Sequence, residues 1–142
     1  MASVTEDAIE RAIRKALTMA RPAMATNFVH PDWTMYADEF RAFWGGTRLA
    51  GMSTVGKSQW PHVAPVEVTL DGDRFVAPAF DDSVRAADVR FNARLAIVTW
   101  DDAWHAAIVY GIAEHVSAGR ATIRPTRIYA MRAPKGHPQS RL

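Results

Sequence analysis

The sequence predicts a mainly β domain: six antiparallel strands closed into a barrel, helices in front of it, and one short helix after the third strand. Three observations predict it. Apolar residues recur at helical spacing up to Trp44 and at strand spacing from Thr47 onward. Turn signals cut that second part into six runs of strand length. Gly111 falls in the middle of the longest run, where a glycine lets a strand bend and a sheet close. Closure removes the edges that a small antiparallel sheet would otherwise expose.

Residues 4–20 place Ala8, Ala12 and Ala16 beside Ile9, Ile13 and Leu17 on one helical face. Ser3 with Glu6 forms a capping box, Glu6 and Asp7 suit the positive helix start, and Arg21-Pro22 closes the helix. Its apolar face is largely alanine, too weak an anchor for a bilayer, so it reads as a packing or dimer helix. After an irregular stretch with Asn27 and His30-Pro31, Asp32 is expected to cap a second helix that runs to Trp44. Tyr36, Phe40, Phe43 and Trp44 give it one aromatic face, and Gly45-Gly46 ends it.

Residues 47–55 read as a strand of small residues, with a turn at Gly56-Lys57-Ser58. Residues 61–70 alternate, with Val66, Val68 and Leu70 on one face and Glu67 and Thr69 on the other. Asp71-Gly72 is expected as the central pair of a hairpin turn, with the return strand over 74–79 and a helix over 81–92. Leu95 to Trp100 is continuously apolar and is expected to be buried on both faces. Asp101-Asp102 turns the chain into a long strand over 104–116. There Trp104, Ala106, Ile108, Tyr110 and Ile112 share one face, and Ala107, Val109 and Ala113 the other. Residues 122–131, interrupted by Pro125, form the last strand. The organisation is thus a helical segment packing on the barrel (1–46), the barrel (47–133) and a tail (134–142). A strand apolar on both faces needs a second cover, which predicts a homodimer.

Composition narrows the function. The length, 142 residues, suits one domain, and 49% hydrophobic against 23% charged residues is a globular mixture. With no Cys there is no disulfide framework, thiolate metal site or cysteine nucleophile. No run of about 18 apolar residues exists, so no spanning helix is expected. The N-terminus lacks the apolar core of a secretory signal, and a cytoplasmic location is expected. Of the five His, His105 and His115 are too far apart along a strand to share a metal, and His62 reads as a satisfied strand histidine, with an approach to a ligand as the alternative; no metal is expected. The net charge is only +2 and the basic residues are scattered. The five Trp (33, 44, 60, 100 and 104) invite a base-stacking reading, but Trp44, Trp100 and Trp104 fall where core or interface burial explains them. Nucleic acid is therefore a rival partner, not the expected one.

One segment carries chemistry. Residues 75–85 end a strand and open a helix that Ser83 can cap, leaving the first amides free, with Arg85 in the first turn. Amides, a hydroxyl and a guanidinium together form a phosphate cradle. A capped surface helix with an ordinary Arg has the same pattern, and Asp81-Asp82 counts against an anion.

An ordered series of short motifs now accumulates. It comprises Arg48-Leu49-Ala50 with Ser53-Thr54, Pro61-His62-Val63 with Pro65-Val66, and Asp71-Gly72. Ser83 with Arg85, Asn92 to Val98, and the run Gly111 to Glu114 follow. The series, from Arg48 to Val116, resembles the pyridoxamine 5′-phosphate oxidase-like flavin-binding split barrels. The resemblance implies a six-stranded split barrel, a homodimer with FMN at its interface, and an oxidoreductase acting on a small-molecule substrate. It implies phosphate contacts at Ser83 and Arg85, ring contacts at Pro65, Val66 and Glu67, and Met52, Ser53 and Thr54 beside the ring. Ala79 stands where a Thr hydroxyl is frequent, Asp88 where Asn is usual and Ala93 where Pro is usual. Some similar proteins bind the deazaflavin F420 instead, and others haem. Lys57 reads both as a solvated turn lysine and as a contact to a long anionic tail. No catalytic acid or base is identified; Glu67 is the best-placed carboxylate. A non-catalytic module that stores a cofactor or binds single-stranded nucleic acid is the rival reading.

Overall fold

The structure, a computed structural model, describes residues 7–19 and 31–133. Its strands are β1 (Thr47–Val55), β2 (Pro61–Asp71), β3 (Arg74–Pro78), β4 (Arg94–Trp100), β5 (Ala106–Ser117) and β6 (Arg120–Met131). They close in the order β1-β2-β3-β6-β5-β4, every neighbouring pair antiparallel. Helices α1 (Ala8–Met19) and α2 (Ala37–Trp44) precede the barrel, a 3₁₀ turn (Pro31–Trp33) comes shortly before α2, and α3 (Val84–Phe91) follows β3. This is the expected architecture, a split barrel with flanking helices.

β1 holds the barrel shut. It pairs with β2 from Thr47 opposite Thr69 to Val55 opposite Pro61, and with β4 from Gly51 opposite Val98 to Thr54 opposite Leu95. Its alternation points Ala50, Met52 and Thr54 inward. Arg48 clamps the seam: it donates to the Thr99 hydroxyl (3.0 Å) and the carbonyls of Phe43 (3.1 Å) and Trp100 (3.0 Å). A cation on the last carbonyls of α2 also suits that helix end. The interior is filled by Val68, Phe75, Ile97, Val109, Ile123 and Ile128, with Ile9 and Ile13 of α1 and Phe40 and Trp44 of α2 joining the same cluster. The aromatic face of α2 is as expected: Trp44 meets Phe75 edge-on at 4.9 Å, and its indole N–H donates to the Val68 carbonyl (3.0 Å).

Closure needs two irregularities between β5 and β6. One follows Tyr110, where Gly111 faces Pro125 and Thr126 is the extra residue; the Thr126 hydroxyl donates to the Tyr110 carbonyl (3.0 Å). A Cβ on Gly111 would lie 2.6 Å from Ile123 Cγ2 and 3.0 Å from the Arg124 carbonyl oxygen, so only glycine fits. Pro125 is tolerated because a bulge does not need its missing N–H. The second irregularity lies between Ala113 and His115, and Glu114 there reaches Arg74 (2.9 Å) and Arg124 (3.4 Å).

Several expectations need correction. Asp32 does not cap α2. It lies in the 3₁₀ turn, and the residue before α2, Tyr36, offers no side-chain cap. Instead Glu10 of α1 accepts the Ala37 N–H (2.7 Å), a cap supplied from 27 residues away. Ser3, Glu6, Arg21-Pro22, Asn27 and the tail from 134 lie outside the described residues; α1 is capped by Asp7, which accepts the Ile9 N–H (2.9 Å). The β2–β3 turn is centred on Gly72-Asp73, since Asp71 pairs with Arg74, and Gly72 alone has a positive φ (62°). The two-residue turn with both φ positive is Ala118-Gly119 (53° and 76°), which lengthens β5 and starts β6 at Arg120. α3 is shorter than 81–92 because Ser83 caps it.

β4 is not buried on both faces. Leu95, Ile97 and Thr99 point inward, while Trp100 is 68% exposed. β5 begins at Ala106, not Trp104, which sits in the preceding turn with φ 65° and 60% exposed. The Asp101 carboxylate builds that turn, accepting from the Ala103 (3.0 Å) and His105 (2.9 Å) amides and meeting His105 Nδ1 (2.9 Å).

Partial burial pushes the Asp101 carboxyl up, but the His105 amide, the His105 ring and the Ala103 amide outweigh it and hold it below its ordinary 3.8. A carboxyl lowered by folding stabilises the fold above its unfolded value and loses that contribution as pH falls through the folded value. We expect Asp101→Ala to be destabilised relative to the parent at neutral pH and the gap to close below pH 3.8, read by urea melts across pH.

Candidate functional site

The β3–α3 turn is built by Ser83. Its hydroxyl donates to the Phe80 carbonyl (2.7 Å) and accepts the Ala86 N–H (3.0 Å), so it holds the turn and is already used on both sides. The amides of Val84 and Arg85 carry no hydrogen bond among the described residues, as expected for the first amides of a helix. The half-buried Arg85 donates through Nε to the Pro78 carbonyl (2.7 Å), which leaves its terminal nitrogens available. Asp81, which counted against an anion, is paired with Arg90 (2.7 Å). The donor set therefore fits a phosphate: two amides and a guanidinium, with the Asp81 charge balanced by Arg90 while the exposed Asp82 keeps its own.

That turn borders a groove of about 490 Å³ whose walls include Glu67, Thr69, Val76, Pro78, Phe80 and Arg120. A second groove, of about 480 Å³ and largely apolar, runs beside Leu49, Gly51, Val63, Pro65, Val98 and Trp100. Pro65 and Glu67 are neighbours on the outer face of β2, so the grooves adjoin along that face.

The structure thus brings Pro65 and Glu67 outward and Ser83 and Arg85 to the adjoining turn. It does not bring the remaining site residues there. Met52, Val66 and Ala79 are buried and can offer only backbone to a groove ligand, and Ser53 is half-buried on the outer face of β1. Ala79 packs on Ala86 and Ala121, which explains an alanine at that position. Lys57 sits against Phe91, at the other end of α3 from Arg85, with its ammonium 5.9 Å from the ring centroid.

Thr54 belongs to a different arrangement. Asp88, 5% exposed, accepts on Oδ2 from the Thr54 hydroxyl (2.7 Å) and lies 2.6 Å from His62 Nδ1. Thr54 and His62 face each other across the β1–β2 ladder, which aims both at one inward position of α3. Gly56 closes the back: a Cβ there would stand 2.2 Å from Asp88 Oδ1 and 3.2 Å from its Cα. The available signal was an acid flanked by inward-facing Ala86 and Val89 on α3, plus the hairpin register; neither is visible residue by residue. Among the described residues no three His, Asp or Glu gather as for a metal, and no helix is long and apolar enough to cross a membrane.

A closed six-stranded split barrel, with a capped helix start bearing a cation beside an outer groove, defines the structural class of the chain. The sequence profile of the pyridoxamine 5′-phosphate oxidase family matches residues 36–141, and the chain belongs to that family. Solved structures share the fold. A conserved hypothetical protein of Mycobacterium tuberculosis superposes with a TM-score of 0.63 at 16% identity, covering 80% of this chain and 92% of that one. An F420 reductase superposes at 0.52 and 15% identity, covering 56% and 87%. HutZ, the heme storage protein of Vibrio cholerae, superposes at 0.51 and 11% identity, covering 66% and 91%. No curated protein matches the chain.

Because Thr54 and His62 pin Asp88, it cannot swing away from a new methyl group. Gly56→Ala should cost about 1–3 kcal/mol, the usual range for overpacking. Denaturant melts equal to those of the parent would show that Asp88 is not held.

Proposed function

We propose that the protein binds FMN on the outer face of β2 and β3, as a homodimer, and works as a flavin-dependent oxidoreductase on a small molecule. The observation that carries this reading is the β3–α3 turn, where two unpaired amides and the Arg85 guanidinium converge beside a groove. Arg85 and the amides would hold the phosphate; Ser83 would fix their geometry and not bind directly. Pro65 and Glu67 would meet the ring system. The flavin, when bound, supplies hydride or electron transfer. The chain's part is to orient it and keep water out.

The apolar groove supports the dimer. Leu49 (66%), Val63 (72%) and Trp100 (68%) are all exposed on one outer face, a surface that a soluble chain rarely leaves in water. A second copy there would cover it and close the groove over the ring. The deazaflavin F420 is the second reading, supported by the fold shared with an F420 reductase.

The visible and mass spectra of the native protein separate these readings. We expect bound FMN, and a loss of affinity for it of at least about tenfold in Arg85→Glu, the size of one lost charge-assisted hydrogen bond. Colourless protein that leaves the fluorescence of added FMN and F420 unchanged would overturn the proposal. Sedimentation should give a dimer that Trp100→Glu converts to monomer.

A further inference from the structure

We infer that the groove between the β1–β2 turn and α3 is a separate site for a phenol, in which His62 accepts the phenolic proton. The groove, about 690 Å³, is lined chiefly by Lys57, Ser58, His62, Val84, Ala87 and Phe91. That volume is within the range of small-molecule sites. None of its wall residues lines the groove assigned to the flavin, and the two meet only at Val84, whose side chain lines this groove while its amide belongs to the phosphate cradle.

Three features set its chemistry. The first is a fixed imidazole. Buried Asp88 accepts a hydrogen bond from His62 Nδ1–H, so that in the neutral ring the lone pair sits on Nε2. Nε2 has no partner among the described residues, and the side chain is 42% exposed where it lines the groove. Asp88 is a positioning residue, itself locked by Thr54 and by the close approach of Gly56. The second is an apolar floor: Val84 is 60% and Phe91 58% exposed, although they sit on a helix whose other face is core. The third is a single available cation. The charged groups facing the imidazole are Asp88, Lys57 and Arg90; Arg90 is engaged by Asp81, whereas Lys57 has no ion pair among the described residues.

A ligand that uses all three has a flat apolar body for Phe91 and an acidic O–H for Nε2. Its oxygen must also become negative near Lys57. A carboxylate arrives already ionised and brings no proton; an aliphatic alcohol is too weak an acid to give one up. A phenol meets every term. In the bound state the O–H bond breaks, the proton joins Nε2 and the electron pair stays on oxygen. Asp88 then balances the imidazolium and Lys57 the phenolate.

The probe is 4-nitrophenol, whose phenolate absorbs in the visible, added to native protein at about pH 6.5, where the free phenol is mostly protonated and an ordinary imidazole is still about half neutral. The expected result is a saturable phenolate band. 4-Nitroanisole, the same ring without the proton, should bind at least about tenfold more weakly. His62→Gln should abolish the band, and Lys57→Met and Asp88→Asn should each weaken it by about tenfold. Should His62→Gln fail to fold by circular dichroism, the comparison of the two ligands on the parent protein decides alone. FMN, followed by its own fluorescence, should leave the band unchanged whether or not it binds, so this inference and the flavin reading fail separately. Absence of the band, its persistence in folded His62→Gln, equal binding of 4-nitroanisole, or displacement by FMN would each overturn the inference.

Discussion

The two-sided pairing of β1 is the constraint on which the rest of this molecule depends. One strand hydrogen-bonds to β2 along its whole length and to β4 across its middle, and without either partner the sheet has open edges. Its small residues make this workable: Ala50, Gly51 and Ser53 let two neighbours and the Arg48 clamp approach closely. The same strand carries Thr54 to the underside of α3. Closure and the placing of Asp88 are therefore consequences of one strand's register.

The molecule handles charge on α3 in two distinct ways. At the helix start, Asp81 lies in water and is matched by Arg90, which removes one of the two carboxylate charges beside Arg85 and the first amides. In the helix middle, Asp88 is buried, which is costly unless the carboxylate is fully bonded, and both Thr54 and His62 meet it. The first arrangement frees donors for a ligand. The second spends a carboxylate on holding one imidazole still. One eight-residue helix thus carries both the proposed anion-binding end and the proposed proton-accepting side.

What could be read from residues in order was local. Thr47 to Val55 was legible because alternation and small side chains coincide there, and the Ser83 cap because its partners lie within three residues. The cap of α2 was not, because Glu10 supplies it across 27 residues of chain. The two-residue turn with paired positive φ was expected at Asp71-Gly72 and stands at Ala118-Gly119, since strand register decides which pair becomes central. A continuous apolar run such as Leu95 to Trp100 carries no label for which of its faces the chain itself covers; Trp100 points out. Site residues suffered from the same blindness to facing. Met52 and Val66 lie in the run that matches the resemblance, yet strand alternation turns them into the core beside outward Ser53, Pro65 and Glu67.

The match to the family begins at residue 36, one residue before the amide that Glu10 caps. α1 therefore lies outside the inherited pattern while supplying a bond that α2, inside it, needs. Asp7 adds another, pairing with Arg41 (2.9 Å), which in turn donates to the carbonyl of Gly72 at the β2–β3 hairpin. A relative that lacks an α1 must find another acceptor for the first amide of α2 and another anchor for Arg41. In this chain the leading helix is part of the barrel's wiring, so a change at Asp7 or Glu10 is felt at α2 and at the β2–β3 hairpin.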